Sequence, residues 1–143
     1  MMAPMMPPVM PSAVSGVPRI VLRMEGMTLL VTAVVLYVRT GDSWWVFAIL
    51  FLAPDISFLG YLGGPRMGAI AYNAAHTLIG PLLLATAGIL LPAHILLQLA
   101  LIWVGHIGFD RLLGYGLKYA EGFEYTHLSR LRRRDRDAPH RDT

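Results

Sequence analysis

The side chains that could bind a metal ion or carry a proton are few in this chain, and they fall at helical spacings. His106 and Asp110 are four residues apart, so on a helix they lie on one face, one turn from each other. Asn73 and His76 are three residues apart and share a face in the same way. With Asp55 and Glu25 they provide two imidazoles and up to three carboxylates, a ligand set that Zn, Mn or Fe accepts.

Three interpretations of these side chains are open from the sequence. Polar residues buried in membrane bundles often only hydrogen-bond between helices, in which case Asp110 would pair with Arg111, and Glu25 with Arg23 or Arg111. A divalent metal site, catalytic or not, is the second interpretation. Movement of protons or of a small solute is the third, since intramembrane His and carboxylate groups form proton relays.

Long apolar segments must position these side chains. From Met67 to Phe109 the sequence contains no Lys, Arg, Asp or Glu. Hydrophobic residues make up 55% of the chain and charged residues 15%, whereas soluble domains have about 25% charged residues. Since a hydrocarbon core about 30 Å thick needs roughly 20 apolar helical residues, the composition excludes a soluble domain and predicts an integral membrane protein.

The pattern predicts an all-α fold, a polytopic four-helix transmembrane bundle. The predicted spans are residues 20–38, 44–62, 67–91 and 93–117. The connections between them are short and contain Gly or Pro, which favours antiparallel neighbours. We expect three parts: a disordered Met/Pro-rich leader over 1–18, the four-span domain over 19–119, and a basic cytoplasmic tail over 120–143.

Charges at the span ends predict the orientation of the bundle. The basic residues at one end are Arg19, Arg23, Arg66 and Lys118, followed by the arginine-rich tail. The other end has Arg39 with Asp42 beside it. Because Lys and Arg favour the cytoplasmic side, we expect both termini in the cytoplasm and a multi-pass protein of the bacterial inner membrane.

The tail also suggests what the protein contacts. Residues 130–143 hold six arginines and three aspartates, and we expect this segment to lie against anionic lipid of the bilayer. Nucleic acid is not an expected partner, because the aromatic residues of the tail are not interleaved with its arginines. A homo-oligomer remains open, because the glycines of the spans would allow close approach of helices.

The polar side chains share one depth in the four spans. Counted from the cytoplasmic ends at 1.5 Å per residue, they lie roughly 7 to 14 Å below the interface. A lipid-facing charge at that depth costs roughly 1–3 kcal/mol, so we predict that these groups face inward and converge. The predicted cluster comprises Glu25, Asp55, Asn73, His76, His106 and Asp110, with Thr28, Tyr72 and Arg111 beside it.

If the cluster is chemical, its members have separate predicted roles. Asp55, His76 and His106 are the predicted metal ligands. Asp110 is then a fourth ligand or the group that orients His106. Glu25 is the predicted general base, because it lies nearest to cytoplasmic water.

Several other kinds of site are excluded. The chain has no Cys, which excludes disulfides and thiolate metal sites. It contains no nucleophile elbow, no phosphate-binding loop and no His-Glu-x-x-His signature.

Several short motifs, each different from the others, lie along the spans and the segment that follows them. They are Glu25-Gly26, Leu52-Ala53-Pro54-Asp55, Gly60-Tyr61, Tyr72-Asn73, His76-Thr77, His106-Ile107-Gly108-Phe109-Asp110-Arg111, Gly114-Tyr115-Gly116-Leu117-Lys118-Tyr119 and Thr126-His127-Leu128. On these motifs, over about residues 22–131, the chain resembles an uncharacterised bacterial family of small integral membrane proteins, domain of unknown function number 4260. The resemblance implies a four-span membrane protein and supplies no activity.

A second similarity is to membrane-bound metal-dependent hydrolases. It rests on Pro54-Asp55, His76-Thr77 and Thr126-His127. The second carboxylate that such hydrolases often have two residues after the first is replaced here by Ser57. This similarity implies hydrolysis at a metal centre, with a proton-coupled or small-solute carrier and a non-catalytic membrane scaffold as the alternatives.

Overall fold

The computed structural model describes residues 14–120 and 126–128. Within these ranges the chain forms five α-helices and a 3₁₀ helix, and its β-structure is one bridge between Lys118 and Thr126. The helices are α1 (Gly16–Thr40), α2 (Trp44–Phe51), the 3₁₀ helix (Ala53–Gly63), α3 (Pro65–His76), α4 (Ile79–Leu90) and α5 (His94–Leu113).

Four helical segments are long and apolar enough to cross a membrane. They are Gly16–Thr40, Trp44–Gly63, Pro65–Leu90 and His94–Leu113. The predicted all-α fold with four transmembrane helices is therefore confirmed, while the orientation of the termini stays a prediction. We call the end at which α1 begins and α5 ends the basic end, and the opposite end the turn end.

The second and third spans are each interrupted beside a polar side chain. In the second, α2 gives way to the 3₁₀ helix just before Pro54, whose ring nitrogen cannot donate a helical hydrogen bond, and Asp55 lies in the first 3₁₀ turn. In the third, α3 ends at His76 because Thr77 has an extended backbone with φ −87° and ψ 147°. The sequence predicts both spans as continuous helices, so the structure adds these two interruptions.

Helix α5 is the centre of the bundle, with α1, α2 and α4 packed against it and α3 packed against the 3₁₀ helix. A close approach joins Gly26 of α1 to Gly108 of α5. A Cβ atom on Gly26 would lie 2.8 Å from the carbonyl oxygen of Gly108, and one on Gly108 would lie 2.7 Å from that of Gly26. Glycine at both positions therefore lets the two backbones touch, as is common for small residues between membrane helices.

The predicted fourth span, 93–117, is too long at its C-terminal end. Helix α5 ends at Leu113, because Gly114 takes the left-handed conformation with φ 91° and caps the helix. The chain then turns back across the basic end, where the backbone N–H and C=O of Lys118 make hydrogen bonds of 2.7 and 2.8 Å with the side chain of Asn73. This segment is an ordered cover on the bundle and not a continuation of the span.

The predicted terminal parts fall largely outside the described residues. Helix α1 begins at Gly16, so the last three residues of the predicted leader are helical. The rest of the leader up to residue 13, and tail residues 121–125 and 129–143, lie outside the described ranges. Within the tail, the His127 carbonyl accepts a 2.8 Å hydrogen bond from the N–H of Val14, which joins the two ends of the described chain.

Aromatic rings fill the bundle between the turn end and its middle. Tyr37 of α1 lies 5.5 Å from Trp44 and 4.9 Å from Phe47, measured between ring centroids. Phe47 stacks on Phe51 at 5.5 Å, and Phe51 contacts the imidazole of His106 edge-on at 5.3 Å. This aromatic column therefore ends directly on one of the predicted metal ligands.

Candidate metal centre

Two imidazoles and two carboxylates meet in the half of the bundle nearer the basic end. The Nε2 atoms of His76 and His106 lie 3.1 Å apart. The Oδ1 atom of Asp55 is 3.6 Å from each of these nitrogens. The Oδ2 atom of Asp110 is 3.4 Å from Nε2 of His76 and 3.8 Å from that of His106. The structure thus brings together the four residues that the sequence analysis named as candidate ligands.

The spacing of these atoms fits a small divalent cation. Asp55, His76 and His106 each offer one ligand atom, and the three atoms lie within 4.8 Å of one another. Tetrahedral coordination with bonds of about 2.1 Å requires ligand atoms about 3.4 Å apart. The separations between the imidazole nitrogens and carboxylate oxygens, from 3.4 to 3.8 Å, lie close to that value.

Burial is uneven around the centre. The side chains of His76 and His106 are only 4% and 2% exposed, and that of Asp110 is 17% exposed. The side chain of Asp55 is 40% exposed. The imidazoles are therefore fixed within the protein, while Asp55 gives the centre access to its surroundings.

The protonation of His76 is determined by its backbone neighbour. Its Nδ1 lies 2.8 Å from the carbonyl oxygen of Tyr72, and since a carbonyl only accepts, Nδ1 must carry the proton. In the neutral imidazole Nε2 then has a lone pair directed at the other ligand atoms. The ring of Tyr72 also stacks on His76, at 3.7 Å between centroids and 13° between planes. A metal-binding imidazole is commonly oriented by such a hydrogen bond.

The hydrogen-bond geometry of His76 defines one acceptor at the centre. Nδ1 of His76 donates to the Tyr72 carbonyl, so in the neutral ring Nε2 of His76 is an acceptor beside Nε2 of His106. Nδ1 of His106 is buried and has no hydrogen-bond partner within the described ranges. Nε2 of His76 and the two carboxylate oxygens thus offer lone pairs that a cation at this point would accept.

Asp110 is held by Tyr72 and not by a neighbouring arginine. The hydroxyl of Tyr72 donates a 3.2 Å hydrogen bond to Oδ2 of Asp110. Among the residues that the structure describes, the basic side-chain nitrogens close to the Asp110 carboxylate are those of the two histidines, so its predicted pairing with Arg111 is not formed. Arg111 is half-buried and borders a narrow space beside Tyr72, His76 and Asp110.

The predicted convergence is wrong for Glu25 and Thr28. Both side chains are exposed on α1, and the hydroxyl of Thr28 donates back to the carbonyl of Met24 at 2.9 Å. The physical reason is rotation about the helix axis. Gly26 is the position that α1 presents to α5, and Glu25, one residue earlier, points about 100° away from that contact. Asn73 is also outside the cluster, because its amide holds the backbone of Lys118.

Lys118 is the functional candidate that sequence reasoning missed. From the sequence it serves only as a marker of orientation. In the structure it is only 6% exposed. Its Nζ lies 4.5 Å from the ring centroid of Tyr72 and 4.6 Å from that of Phe58. Burial lowers the pKa of Lys118 to about 8, against the opposing effect of the Asp110 and Asp55 charges. The sequence feature that could have indicated its burial is its position two residues after a Gly-Tyr-Gly turn that follows an apolar span.

Two cavities adjoin the centre. The first, which we call the lysine cavity, has a volume of about 330 Å³ and is lined by Asp55, Asp110 and Lys118 together with aromatic and apolar side chains. The second, which we call the apolar cavity, has a volume of about 400 Å³, and its lining includes Pro54, Ser57, Ala75, Ile102 and Trp103. The carboxylates of Asp55 and Asp110 are thus reachable from a cavity that Lys118 also lines.

Comparison with known proteins gives one match. A family model described as "Domain of unknown function (DUF4260)" matches residues 19–131, a range that includes all four spans and the four converging side chains. No match was found among the curated proteins or the solved structures.

Proposed function

Since the chain belongs to the DUF4260 family, whose description assigns no activity, we propose from the geometry of the centre that the protein is a membrane-embedded, metal-dependent hydrolase. In this proposal Asp55, His76 and His106 bind one divalent cation. The supporting observation is that one atom from each of these side chains falls within 4.8 Å of the others, on three separate helical elements.

The ligand set favours Zn, with Mn and Fe as competitors. Two imidazoles and a carboxylate are a common protein ligand set of hydrolytic zinc sites. The same set with open positions also serves Fe(II), and the second carboxylate suits Mn. A bound divalent ion would polarise a carbonyl or phosphoryl oxygen and lower the pKa of a coordinated water.

Asp110 takes the role of general base that the sequence analysis gave to Glu25. Its carboxylate is fixed by the Tyr72 hydroxyl and lies 3.4 Å from Nε2 of His76, next to the three proposed ligands. A carboxylate at that distance can accept a proton from water in the lysine cavity, which Asp110 lines. The exposed Glu25 lies on the outer surface of α1 and has no such access.

Elemental analysis of the purified protein tests the proposal most directly. We expect about one Zn, Mn or Fe per chain after incubation with each metal and removal of the excess. His76→Ala and His106→Ala should each lose the metal, because in this proposal the Nε2 atom of each histidine binds the ion directly. His94→Ala is the matched control, since His94 is exposed at the turn end and should leave the metal content unchanged.

Two other results would overturn the metal proposal in distinct ways. If no metal binds and the histidine variants only unfold at lower temperature, the cluster is a structural hydrogen-bond network. If no metal binds but purified protein in liposomes moves protons or a solute in a manner that depends on Asp55 and Asp110, it is a carrier. The aromatic column from Tyr37 to His106 favours the hydrolase over the carrier, because it fills the path from the turn end.

The proposal includes an orientation, with both termini and the lysine cavity on the cytoplasmic side of a bacterial inner membrane. The distribution of arginines supports it. The chain has no native Cys, so single cysteines can be placed at Asp42 and at Thr143. We expect an impermeant thiol reagent to label Asp42→Cys in intact cells and Thr143→Cys only after lysis. Labelling of Thr143→Cys from outside would reverse the orientation.

A further inference from the structure

The two cavities lie on different sides of the centre along the bundle axis. On α5 the apolar cavity is lined by Leu99, Ile102 and Trp103, which precede His106. The lysine cavity is lined by Asp110 and Leu113, which follow it. A molecule that occupies both must therefore pass the proposed ligands, with one part toward the middle of the bundle and the other toward the basic end.

Residues that line the apolar cavity are close in sequence to the three proposed metal ligands. Pro54 precedes Asp55, Ala75 precedes His76, and Ile102 lies one helical turn before His106, so each ligand-bearing element contributes a wall residue. The cavity's volume of about 400 Å³ is within the range of roughly 300–1,000 Å³ that is typical of ligand sites.

One polar group in the apolar cavity lacks a protein partner. The hydroxyl of Ser57 lines this cavity and is buried, and it has no hydrogen-bond partner among the residues that the structure describes. A buried hydroxyl without a partner is unfavourable. An oxygen of a bound molecule, placed beside the Asp55 end of the 3₁₀ helix, would satisfy it.

The lysine cavity has a different chemistry. Lys118 is held there over the rings of Phe58 and Tyr72, and its N–H and C=O are fixed by Asn73. Its ammonium group gives the cavity a positive charge beside the carboxylates of Asp55 and Asp110. A substrate with an anionic head would place its negative charge on Lys118, and a neutral or cationic head would gain nothing there.

We propose that the substrate is an acyl lipid with a phosphate-bearing head, whose acyl chain occupies the apolar cavity and whose phosphate contacts Lys118. The inference rests on the proposed hydrolase function and names the substrate class. In such a lipid the carboxyl ester lies between the chain and the phosphate, which places it at the centre. Water adds to the ester carbonyl carbon, the acyl C–O bond breaks, the water oxygen leaves in the fatty acid, and a proton passes to the released alcohol.

Binding of defined probes tests this proposal separately from catalysis. The probes are a single-chain lipid with a phosphate head, the same chain with an uncharged head, and glycerol phosphate without a chain. We expect the full-length protein in detergent to bind the first probe at least about tenfold more tightly than either of the others, because a charge-assisted contact is worth roughly 1.5–3 kcal/mol.

Variants assign the two ends of the lipid to the two cavities. Lys118→Met should abolish the preference for the phosphate head, and Lys118→Arg should retain it. Arg66→Gln is the control for non-specific attraction, since Arg66 is exposed at the same end of the bundle. Ala53→Phe, which places a ring at the apolar cavity, should weaken both single-chain probes equally.

The outcomes separate this inference from the proposed function. If metal is retained and Lys118→Met binds all probes as the unmodified protein does, the substrate class is wrong while the metal proposal stands. If no metal binds but the head preference depends on Lys118, the lipid site stands and the hydrolase function fails. Release of fatty acid from the phosphate-headed probe, lost in Lys118→Met protein that still holds its metal, would support both.

Discussion

The two halves of the bundle share α1 and α5 but contain different kinds of side chain, with α2 and α4 toward the turn end and the 3₁₀ helix and α3 toward the basic end. Toward the turn end, rings from Tyr37 to Phe51 pack against one another, and the polar contacts there include hydrogen bonds from Gln98 to Asp42 and from the Tyr37 hydroxyl to the Ser43 carbonyl. Toward the basic end, imidazoles and carboxylates converge beside two cavities. Packing and chemistry are therefore separated along the bundle axis.

His106 is the boundary between the halves. One side of its ring contacts Phe51 of the aromatic column, and the other contacts His76 of the centre at 5.1 Å. Rigid aromatic packing on one side fixes the orientation of an imidazole whose Nδ1 has no described hydrogen-bond partner. The packed half can therefore position a ligand that lacks the backbone hydrogen bond available to His76.

The largest expected effect of a substitution is on the chemical half. Asp110→Asn should retain the metal, because Asp55, His76 and His106 remain, yet hydrolysis should fall by roughly 10²- to 10⁴-fold through loss of the general base. Metal content and ester hydrolysis measured on the same sample check this. Asp42→Asn, a carboxylate replaced at the turn end, is the control and should retain both. Loss of metal from Asp110→Asn would make Asp110 a ligand and not the base.

A smaller effect is expected where the two halves share a scaffold. In Gly108→Ala the new methyl group would lie 2.7 Å from the backbone of Gly26 and Leu30, which forces α1 away from α5. We expect a loss of roughly 1–3 kcal/mol in unfolding free energy. Gly105→Ala is the matched control on the same helix, because its nearest contact would be an ordinary 3.6 Å to Ala33. Equal thermal stability of the two variants would contradict the close contact of α1 with α5.

The smallest effect is a dependence of stability on pH. The pKa of Lys118 is about 8 in the folded protein and 10.5 in its ordinary state, so the unfolded chain holds the proton more tightly. Between these values the unfolded state binds more protons, and the stability contributed by this group therefore rises with pH from about 8 toward 10.5. Lys118→Met should remove that rise in detergent unfolding curves. An unchanged pH profile in the variant would show that Lys118 is solvated.

The sequence predicts part of this arrangement and not the rest, for physical reasons. Depth along a span follows from residue number, so the common level of Asp55, His76 and His106 could be inferred. The direction in which a side chain points around the helix axis does not follow from its depth. For this reason the prediction that Glu25 faces inward was wrong. That direction depends on which residue meets the neighbouring helix, and Gly26 offered only a weak indication of that contact.

Two further features depend on long-range contacts. The sequence predicted a continuous span over 44–62, whereas the eleven residues of 3₁₀ helix after α2 pack against α3. The burial of Lys118 depends on the return of the chain after Gly114 and on its bonds with Asn73, which lies 45 residues earlier. Neither contact leaves a periodic pattern in the sequence.

The order of the converging residues along the chain has a consequence for biosynthesis. Asp55 and His76 enter the membrane with the second and third spans, whereas His106 and Asp110 arrive only with the last. A lipid-facing charge at their depth costs roughly 1–3 kcal/mol. Until α5 is inserted, Asp55 and His76 therefore lack the contacts that His106 and Asp110 supply, and the centre is complete only when the last span is in place.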